Sequence, residues 1–539
     1  MGGQVLAAID VGTNSIHMVV AQINHQLPSF TIVSTEKETV RLGEGRSDKG
    51  HLNQAAIDRA LAALSRFRQV CDTLGATEIV AVATSASREA PNGQELIDRV
   101  AQRTGIKVDL ISGQEEARLI YLGVLSAMEL NHQSHLIIDI GGGSTELVLG
   151  DGHAPSYLSS SKVGAVRLTE MFVHSDPISN YDFHQLQSYI QGIIERPIED
   201  LKPLLGKKIP PLIGCSGTIE AVLSLFAKET TGIIPNPLQG YTISFEAVSG
   251  MVQLLRRSNL AERILLVKEK RAEIVLAGAT ILQEVMRGLQ LPRITYCQAA
   301  LREGLIVDWM IKHGLIQDRW RYQSSVRERS VLKLAHKYKA NLPYSKQVAK
   351  LCLSLFDQTQ GILHRWGQEE RQLVWAGALL HNVGHFISHS EHHKHSYYLI
   401  RYGELLGYTE SEIEVIANLA RYHRRSEPKR KHEHYRRLHE SQQLLIDQIC
   451  PLLRLAVALD RRQIGAISDV KVTIDRSIFT LRIFPSHPED PCTLELWSLE
   501  YKKELFEKYY NLTLAVVVDP SCGVTGVESS LRSGLRPSV

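Results

Sequence analysis

The amino-acid sequence predicts an α/β protein in which two similar domains face each other across a cleft, followed by a helical domain and a small α+β appendage. Three observations support this prediction. Two glycine-rich strand-turn-strand segments, residues 7–22 and 136–150, begin halves of similar pattern. After about Gly314 the pattern changes to long helical spacings. A chain of 539 residues is also too long for one hydrophobic core.

The first half is assigned to residues 1–130. Short β-branched runs alternate there with amphipathic stretches, which is typical of strands and helices packed on one another. Strands are predicted at residues 6–10, 17–23, 31–40, 79–84 and 108–112. A helix is predicted at residues 53–74, because its apolar residues recur at helical spacing and Gly75 follows as a stop.

The second half is assigned to residues 131–313 and repeats this plan. It opens with the strand-turn-strand of residues 136–150, and a further apolar strand at residues 211–215 ends in SGTIEA. Because both halves combine a glycine-rich turn between strands with following helices, we expect two similar domains with a ligand cleft between them.

The remaining chain is predicted to be mostly helical. Residues 326–365 and 371–459 have helical spacing and belong to a domain assigned to residues 314–468. Residues 470–484 alternate as a hairpin and residues 512–518 could add a strand, which gives a small α+β domain at residues 469–519. The Gly/Ser-rich residues 520–539 are predicted to be disordered.

The two glycine-rich turns predict a phosphate clamp. Each follows a strand that ends in an aspartate, Asp10 or Asp139, and passes through glycine and hydroxyl residues. Backbone N–H groups can curl around an anion only where no Cβ intervenes, and the aspartate can hold a cation beside a bound phosphate. A single element of this kind is equally consistent with a simple turn. Two such elements in one chain favour a phosphate clamp to which both turns contribute.

Three further side chains are candidates for chemistry. Glu116 lies at a helix start that Ser112 and Glu115 already explain as a capping box, so its carboxylate is free to activate a water. Arg88 could grip phosphoryl oxygens or be an ordinary surface arginine. Glu146 could bind a cation together with Asp139, or cap the turn.

Composition limits the classes of protein to consider. Residues 421–439 contain eight Lys/Arg and two Glu, a local charge of +6, which predicts either a surface for a polyanion or an exposed loop. The seven cysteines show no CxxC spacing, which fits a reducing compartment rather than disulfides or zinc. No apolar run reaches a membrane span, and the first residues do not form a secretory signal. We expect a cytoplasmic protein without a nucleic-acid partner.

Six segments resemble the exopolyphosphatase/guanosine pentaphosphate phosphatase family, which belongs to the actin, sugar-kinase and heat-shock-chaperone ATPase superfamily. They are DVGTNSIHMVVA, SASREA, SGQEEARLIYLGV, DIGGGSTELVLG, GCSGTIEA and ALREGLI. The resemblance implies two actin/sugar-kinase-like (ribonuclease-H-like) domains. LHNVGHFISHSEHHKHSYYLI, LARYHRR and LLRLAVALDRR resemble the HD-like helical region of long family members, which typically hydrolyse inorganic polyphosphate from a chain end.

The resemblance also implies roles for residues at matching positions. Glu116 matches the proposed catalytic base and Arg88 the phosphate-gripping arginine. The implied phosphate-binding residues are Gly12, Thr13, Asn14, Ser15, Gly141, Gly142, Gly143, Ser144, Thr145, Ser216, Gly217 and Thr218, and the implied metal-binding residues are Asp10, Asp139 and Glu146. The implied chemistry is in-line attack by water, with developing charge held by Mg²⁺, backbone amides and Arg88.

The histidine-rich segment departs from the HD pattern. His381, His385 and His389 have a spacing that could ligate a metal. However, Asn382 stands where the HD pattern requires Asp, and Tyr344 stands where the first histidine ligand is expected. We expect no working metal site there. Instead we expect a path for a long polyanion, formed by His381, His385, Arg424, Arg425, Lys429, Arg430 and Lys431.

The leading functional hypothesis is a Mg²⁺-dependent exopolyphosphatase, with K⁺ as a candidate activator and a homodimer by resemblance. The first alternative is a guanosine pentaphosphate 5'-phosphohydrolase, because the same clamp serves both substrates. A second alternative is a non-enzymatic sensor of polyphosphate or guanosine pentaphosphate on the same scaffold. A kinase is disfavoured, since it would have to exclude water and admit an acceptor hydroxyl.

Overall fold

The computed structural model describes residues 4–25, 27–44, 50–131, 133–206, 209–316, 326–403, 405 and 407–519. The chain divides into two compact units. Unit 1 comprises residues 1–330 and 406–410, and unit 2 comprises residues 331–405 and 411–539. The finer domain boundaries expected near residues 130, 313 and 468 stay a prediction.

Unit 1 begins with a five-stranded sheet of order β3-β2-β1-β4-β5. Its strands are β1 Val5–Val11, β2 Ser15–Asn24, β3 Ser29–Thr39, β4 Glu78–Ala83 and β5 Val108–Leu110. The first three form an antiparallel meander, and β4 and β5 run parallel to β1. The helices on this sheet are α1 Gln54–Thr73, α2 Ser85–Glu89 and α3 Gly93–Thr104. The five predicted strands and the predicted helix are confirmed, with ends shifted by a few residues.

The second sheet of unit 1 repeats this plan with order β10-β11-β9-β6-β7-β8. Its strands are β6 His135–Ile140, β7 Thr145–Gly150, β8 Tyr157–Ser161, β9 Leu212–Cys215, β10 Thr242–Ser244 and β11 Arg293–Tyr296. Strands β6, β7 and β8 form the meander, and β9 pairs parallel with both β6 and β11. Strands β6, β7 and β9 were predicted from the sequence, whereas β8, β10 and β11 were not.

Nine described helices between residues 113 and 312 complete unit 1. They are α4 Gly113–Ala127, α5 Ala165–Phe172, α6 Asn180–Leu201, α7 Ser216–Thr231, α8 Phe245–Arg257, α9 Leu260–Leu266, α10 Glu269–Ala272, α11 Val275–Gly288 and α12 Leu301–Lys312. The repeated sheet order and these helices confirm the predicted pair of actin/sugar-kinase-like domains.

Helices α4 and α12 cross at unusually close range because each carries a glycine at the contact. A Cβ on Gly123 would lie 1.9 Å from Ala300 O, and a Cβ on Gly304 would lie 1.8 Å from Leu119 O. Any side chain at either position would push the two backbones apart. This crossing fixes α4, and therefore fixes Glu116 in the first turn of that helix.

The C-terminal elements are mainly helical, as predicted. The helices are α13 Val326–Lys337, α14 Leu342–Thr359, α15 Gln368–Leu380, α16 His392–Arg401, α17 Glu410–Tyr422, α18 Glu433–Arg436, α19 Glu440–Ala458, α20 Thr493–Lys502 and α21 Glu504–Tyr510.

A three-stranded sheet completes unit 2, in the order β12-β13-β14. Its strands are β12 Ile467–Asp475, β13 Ile478–Pro485 and β14 Thr513–Val518, which confirm the predicted hairpin and added strand. The tail predicted to be disordered, residues 520–539, lies outside the described residues. Among the helices that the structure describes, none combines the length and the apolarity needed to cross a bilayer.

Candidate active site

The two glycine-rich turns of unit 1 have the same backbone geometry. In the first turn, Gly12 N–H donates to Ser15 O at 3.2 Å. In the second, Gly141 N–H donates to Ser144 O at 2.9 Å. In both, the bonded pair spans three residues and the strand-ending aspartate stands two residues before the glycine. The repeated motif in the sequence is therefore a repeated turn in the structure.

The two turns lie directly against each other. A Cβ on Gly142 would lie 3.0 Å from Thr13 Cβ and 3.2 Å from Asn14 N. A Cβ on Gly143 would lie 2.7 Å from Thr13 Oγ1 and 2.6 Å from Ser85 Oγ. Glycine is required at both positions because a side chain would push the two turns apart.

Arg167 ties the two halves of unit 1 together beside these turns. Its Nε donates to Gly143 O at 2.9 Å, and its Nη2 donates to both oxygens of Glu89 at 2.8 and 2.9 Å. Arg167 lies on α5 in the second half, whereas Glu89 lies on α2 in the first. The Arg167–Glu89 ion pair therefore fixes the position of the second glycine turn relative to helix α2 of the first half.

A cleft of about 150 Å³ opens between the turns. It is lined by residues from the ends of both sheets and from the starts of several helices. These residues are Asp10, Gly12, Thr13, Asn14, Ser15, His17, Thr84, Ser85, Glu116, Ile120, Asp139, Ile140, Gly141, Gly142, Gly143, Ser144, Glu146, Ala165, Ser216, Gly217, Arg271, Ile274, Ala300, Leu301 and Arg302.

Four carboxylates form one side of this cleft. Burial raises the pKa of Asp10 to about 7, and the charge of Glu116 adds to the rise. Burial and then the charge of Asp10 raise the pKa of Asp139 to about 7. The pKa of Glu116 is also raised to about 7, chiefly by burial, although Arg88 opposes the rise. Burial, with the charge of Glu116, raises the pKa of Glu146 well above its ordinary value. A cation placed among these groups would relieve the repulsion.

The donor set fits a divalent cation of the Mg²⁺ type. Asp10 Oδ1 is buried and accepts no hydrogen bond from the residues that the structure describes. Glu146 Oε1 accepts from Ser160 Oγ at 2.7 Å, so it is partly satisfied by the protein. Within the described residues, no three His, Cys, Asp or Glu side chains converge closely enough to hold a metal by themselves. Mg²⁺ usually takes one or two protein carboxylates and completes its shell with water and phosphate oxygens, which agrees with this arrangement.

Helix α4 delivers Glu116 into the cleft as predicted. Ser112 Oγ caps the helix by accepting from Glu115 N at 3.1 Å. The Glu115 carboxylate does not complete the expected capping box, because it is bound to Arg118 at 2.6 and 2.7 Å. The Glu116 carboxylate is buried and accepts from Arg88 Nη1 at 3.1 Å.

Arg88 is anchored rather than free. The same Nη1 that contacts Glu116 also donates to Ile111 O at 2.8 Å. Its side chain is 23% exposed, so its outer edge remains accessible to a ligand. In the described structure Arg88 holds the Glu116 carboxylate, and its direct grip on phosphate stays a prediction.

The predicted third loop, at the start of α7, contributes Ser216 and Gly217 to the cleft. Ser216 has φ +81°, and its Oγ is buried without a hydrogen-bond partner among the described atoms. A Cβ on Gly217 would lie 1.8 Å from Arg271 Nη2, so the glycine makes room for that guanidinium.

Two threonines predicted to bind phosphate turn their hydroxyls to the protein. Thr145 Oγ1 donates to Val163 O at 2.6 Å, and Thr218 Oγ1 donates to Ile140 O at 3.5 Å. Both side chains are buried. Each hydroxyl therefore fixes a backbone segment next to it, and the predicted role of these two residues in phosphate binding stays a prediction.

The cleft also contains basic residues that were not predicted from the sequence. Arg271 and Arg302 line it. Arg302 Nη2 lies 3.9 Å from Glu303 Oε1, and no described carboxylate forms an ion pair with Arg271. The pKa of Lys37 is lowered to about 8 by burial and then by Arg271, which places this third cation nearby. Arg302 stands inside the ALREGLI motif and could have been found there, whereas Lys37 and Arg271 carry no local signal.

His17 also lines the cleft without having been predicted. Its Nε2 lies 2.8 Å from Ser15 Oγ. Burial and then the charge of Arg302 lower its pKa to about 2, so the ring is uncharged at neutral pH. It can orient Ser15 but adds no charge to the site.

In unit 2, some residues of the predicted polyanion path are buried and others are exposed. His381 is fully buried, with Nδ1 2.6 Å from Ala378 O and Nε2 3.4 Å from the Tyr344 hydroxyl. This corrects the expectation for His381, because a buried ring bonded on both nitrogens offers no surface to a polyanion. The exposed members are His385, Arg425, Lys429, Arg430 and Lys431, and Arg424 is partly exposed.

Comparison with known proteins places these features in a family. A family model described as the Ppx/GppA phosphatase family matches residues 19–313, and one described as Ppx/GppA phosphatase, domain III, matches residues 326–503. A guanosine-5'-triphosphate,3'-diphosphate pyrophosphatase of Vibrio campbellii is 28% identical over 470 residues, covering 85% of this chain and 87% of that protein. One of Vibrio vulnificus is 29% identical over 480 residues, covering 88% and 91%.

Among solved structures, an exopolyphosphatase from Cytophaga hutchinsonii is similar to this chain, with 29% identity and a TM-score of 0.53. The match covers 58% of this chain and 98% of that one. An exopolyphosphatase-like protein is similar at 25% identity with a TM-score of 0.51, covering 57% and 99%.

Proposed function

The chain belongs to the Ppx/GppA phosphatase family, and from this premise we propose that it is an exopolyphosphatase that releases the terminal phosphoryl group of inorganic polyphosphate. One observation carries the proposal. A single cleft is lined by four carboxylates, by Arg271 and Arg302 and by the two glycine turns. A phosphate chain whose end is hydrolysed needs a place for a cation and water at its terminus and positive charge along the adjoining phosphates.

Glu116 is the proposed general base. Its buried carboxylate has a pKa near 7, so it can accept a proton from water at neutral pH more readily than an ordinary glutamate can. Arg88 fixes its orientation through the 3.1 Å contact. Water, positioned by Glu116, forms the new P–O bond while the anhydride P–O bond breaks, and Glu116 takes the proton.

The turns and the basic residues stabilise the charge that develops on phosphorus and on the leaving chain. Backbone N–H groups near Gly142 and Gly143 lie where the two turns meet and can donate to phosphoryl oxygens. Arg271 and Arg302 can neutralise the departing phosphate. Asp10 and Asp139, with Glu146 behind them, would hold Mg²⁺, which supplies further neutralisation of phosphoryl charge.

Guanosine pentaphosphate is the second candidate substrate. Two relatives that match most of this chain are named guanosine-5'-triphosphate,3'-diphosphate pyrophosphatases. Both substrates end in a phosphoric anhydride, so the cleft chemistry would be the same. The exposed cations Lys429, Arg430 and Lys431 favour the longer polyanion, because a long chain engages more positive charge than a nucleotide does.

Phosphate release from purified full-length protein with Mg²⁺ tests the proposal. Long polyphosphate, tripolyphosphate and guanosine pentaphosphate are compared at equal concentrations of terminal phosphate and over a range of salt. An exopolyphosphatase shows kcat/KM that rises with chain length and falls with salt. A clear preference for guanosine pentaphosphate would establish the alternative, and tight binding without release would indicate a sensor.

A further inference from the structure

A row of three side chains crosses the first sheet of unit 1 at the level of Asp10. Asp10 on β1 is the cross-strand partner of His17 on β2, and His17 is the partner of Lys37 on β3. Directly opposite residues of antiparallel strands point to the same face of a sheet, with Cβ atoms about 4.5–5.5 Å apart. Asp10 and His17 both line the cleft, so this face is the cleft face. Because β3 is an edge strand of the described sheet, the row leads outward from the cleft and ends at Lys37.

The second sheet has a row at the equivalent position, but its side chains differ. Asp139 on β6 is the partner of Glu146 on β7, and Glu146 is the partner of Ser160 on β8. Ser160 Oγ donates to Glu146 Oε1 at 2.7 Å, so the third residue of this row is bonded to the second. The second half therefore supplies acidic groups, which suit a cation, and has a serine where the first half has Lys37.

The Lys37 ammonium has no bonding partner in the part of unit 1 that the structure describes. No described carboxylate forms an ion pair with it, and its Nζ makes no hydrogen bond to a described atom. Successive strand residues point to opposite faces, and the adjacent Glu38 pairs with Arg66 at 3.3 Å. The charge of Lys37 is therefore available to a ligand on the cleft face.

The segment that carries Arg271 lies beside the end of β3. Arg41 follows β3 by two residues and pairs at 2.9 Å with Glu273, which follows Arg271 by two residues. The Arg271 guanidinium lies against Gly217, where a Cβ would be 1.8 Å from Nη2. In agreement with this placement, burial and then the charge of Arg271 lower the pKa of Lys37 to about 8, so the lysine stays mostly charged at neutral pH.

The contrast between the two rows gives the cleft a direction. We propose that Lys37 binds a phosphoryl group beyond the anhydride that is hydrolysed, and that the phosphate chain extends from the reacting centre along the row from Asp10 to Lys37. The inference rests on the proposed function, because it concerns the same cleft. Lys37 is then a specificity residue, which favours substrates with three or more linked phosphates over substrates with two.

The length of the row supports a substrate of this kind. Two cross-strand steps place the Cβ of Lys37 about 10 Å from that of Asp10. The two phosphorus atoms of one anhydride are much closer together than this, so the site at Lys37 fits a later phosphate of the chain. An ammonium group with three rotatable donors can meet the oxygens of such a phosphate in any rotation about the chain.

Calorimetric titration of the full-length Glu116→Gln variant tests the inference, with pyrophosphate, tripolyphosphate and tetrapolyphosphate as ligands at a constant excess of Mg²⁺. This variant does not consume the ligands, so the affinities refer to intact chains. Adding Lys37→Gln should weaken binding of the two longer chains about tenfold, as expected for the loss of one charge-assisted hydrogen bond. Pyrophosphate affinity should stay within about twofold, and Lys37→Arg should recover most of the affinity for the longer chains.

Lys107→Gln in the same background is the matched control. Lys107 is an exposed cation directly before β5, which lies at the opposite edge of the same sheet from β3. Its replacement changes the net charge by the same amount without touching the row. All three affinities should therefore be kept.

Guanosine pentaphosphate is a separate arm of the titration, because its 5′ end is also a linear triphosphate. A loss on Lys37→Gln equal to that for tripolyphosphate extends the ligand of Lys37 to nucleotides, and no loss restricts it to inorganic chains. Equal losses for pyrophosphate and tetrapolyphosphate would overturn the inference, since Lys37 would then act on the reacting anhydride or on the fold.

Unchanged affinity for every ligand would overturn it as well. If the Glu116→Gln parent bound none of the phosphate chains, the proposed function would fail and the inference with it. Binding of all three chains without a length-dependent loss would reject the inference alone.

Discussion

The cleft of unit 1 and the buried histidines of unit 2 (His381, His392 and His423) both gather titratable groups of one kind, but burial shifts the pKa of these groups in opposite directions. In the cleft, burial raises the pKa of Asp10 and Asp139 to about 7. Among the histidines, burial lowers the pKa of His392 to about 3 and that of His381 to about 4. In both regions burial disfavours the charged form, which is the deprotonated form of a carboxylate but the protonated form of a histidine. The same physical cause therefore favours the neutral form of both kinds of side chain.

The largest expected effect concerns Glu116. Glu116→Gln should lower phosphate release by about 10²–10⁴-fold, because the amide cannot accept a proton from water. Substrate affinity should stay within a few fold, since the cleft keeps its turns and cations. Phosphate-release kinetics and a binding titration check both values.

Glu115→Gln is the control for that variant, because Glu115 lies on the same helix and pairs with Arg118 outside the cleft. It should keep most of the activity. Equal losses in the two variants would mean that helix α4 was disturbed and that Glu116 has no special role.

The second-largest expected effect concerns the pH dependence of stability, which reports the ionisation of a cleft carboxylate independently of catalysis. Asp10 has a pKa of about 7 in the folded protein and an ordinary value of 3.8. The folded state therefore holds an extra proton between about pH 4 and pH 7, and stability falls as pH rises across that window. Asp10→Asn should remove this loss, so that its gain in unfolding free energy is about 3 kcal/mol larger at pH 8 than at pH 5.

Urea unfolding with EDTA at the two pH values measures this difference. Asp109→Asn, which removes an exposed carboxylate on β5, should change stability little at either pH. The gain for Asp10→Asn should be accompanied by loss of activity. A gain of equal size at both pH values would contradict the assigned titration.

A third effect concerns the packing that positions Glu116. Gly304→Ala would place a Cβ 1.8 Å from Leu119 O. It should lower the free energy of unfolding by about 1–3 kcal/mol through overpacking. Because α4 must move, kcat should fall as well. Gly192→Ala on α6 meets nothing within 4 Å and should instead stabilise the protein slightly, by about 0.5–1 kcal/mol.

The smallest effect concerns the exposed basic segment of unit 2. Replacing Lys429, Arg430 and Lys431 together by Gln should raise KM for long polyphosphate about two- to fivefold at low salt, because exposed charges act mainly on encounter. The difference should disappear at high salt and be absent for tripolyphosphate. An equal change for both substrates would show that the segment acts on the cleft and does not guide the chain.

The short-range features of this protein were predictable because they depend on local backbone chemistry. The paired strand-turn-strand elements around Asp10 and Asp139, the helix start at Ser112 and the hairpin at residues 470–484 are all set by residues adjacent in sequence. Glu116, which the motif singled out, lines the cleft, and its catalytic role stays a prediction.

Other features of the cleft depend on residues that are distant in the sequence, so only the tertiary structure determines them. The basic residues of the cleft, Arg271 and Arg302, come from two separate segments, and only the fold brings them together. The direction of a side chain also depends on the tertiary structure: the hydroxyl of Thr145 donates to Val163 O, 18 residues further along the chain. Turns and helix starts are determined by residues that are adjacent in the sequence, so the sequence alone predicts them. Which charged groups meet in a site depends on the packing of residues that are distant in the sequence, so only the tertiary structure decides it.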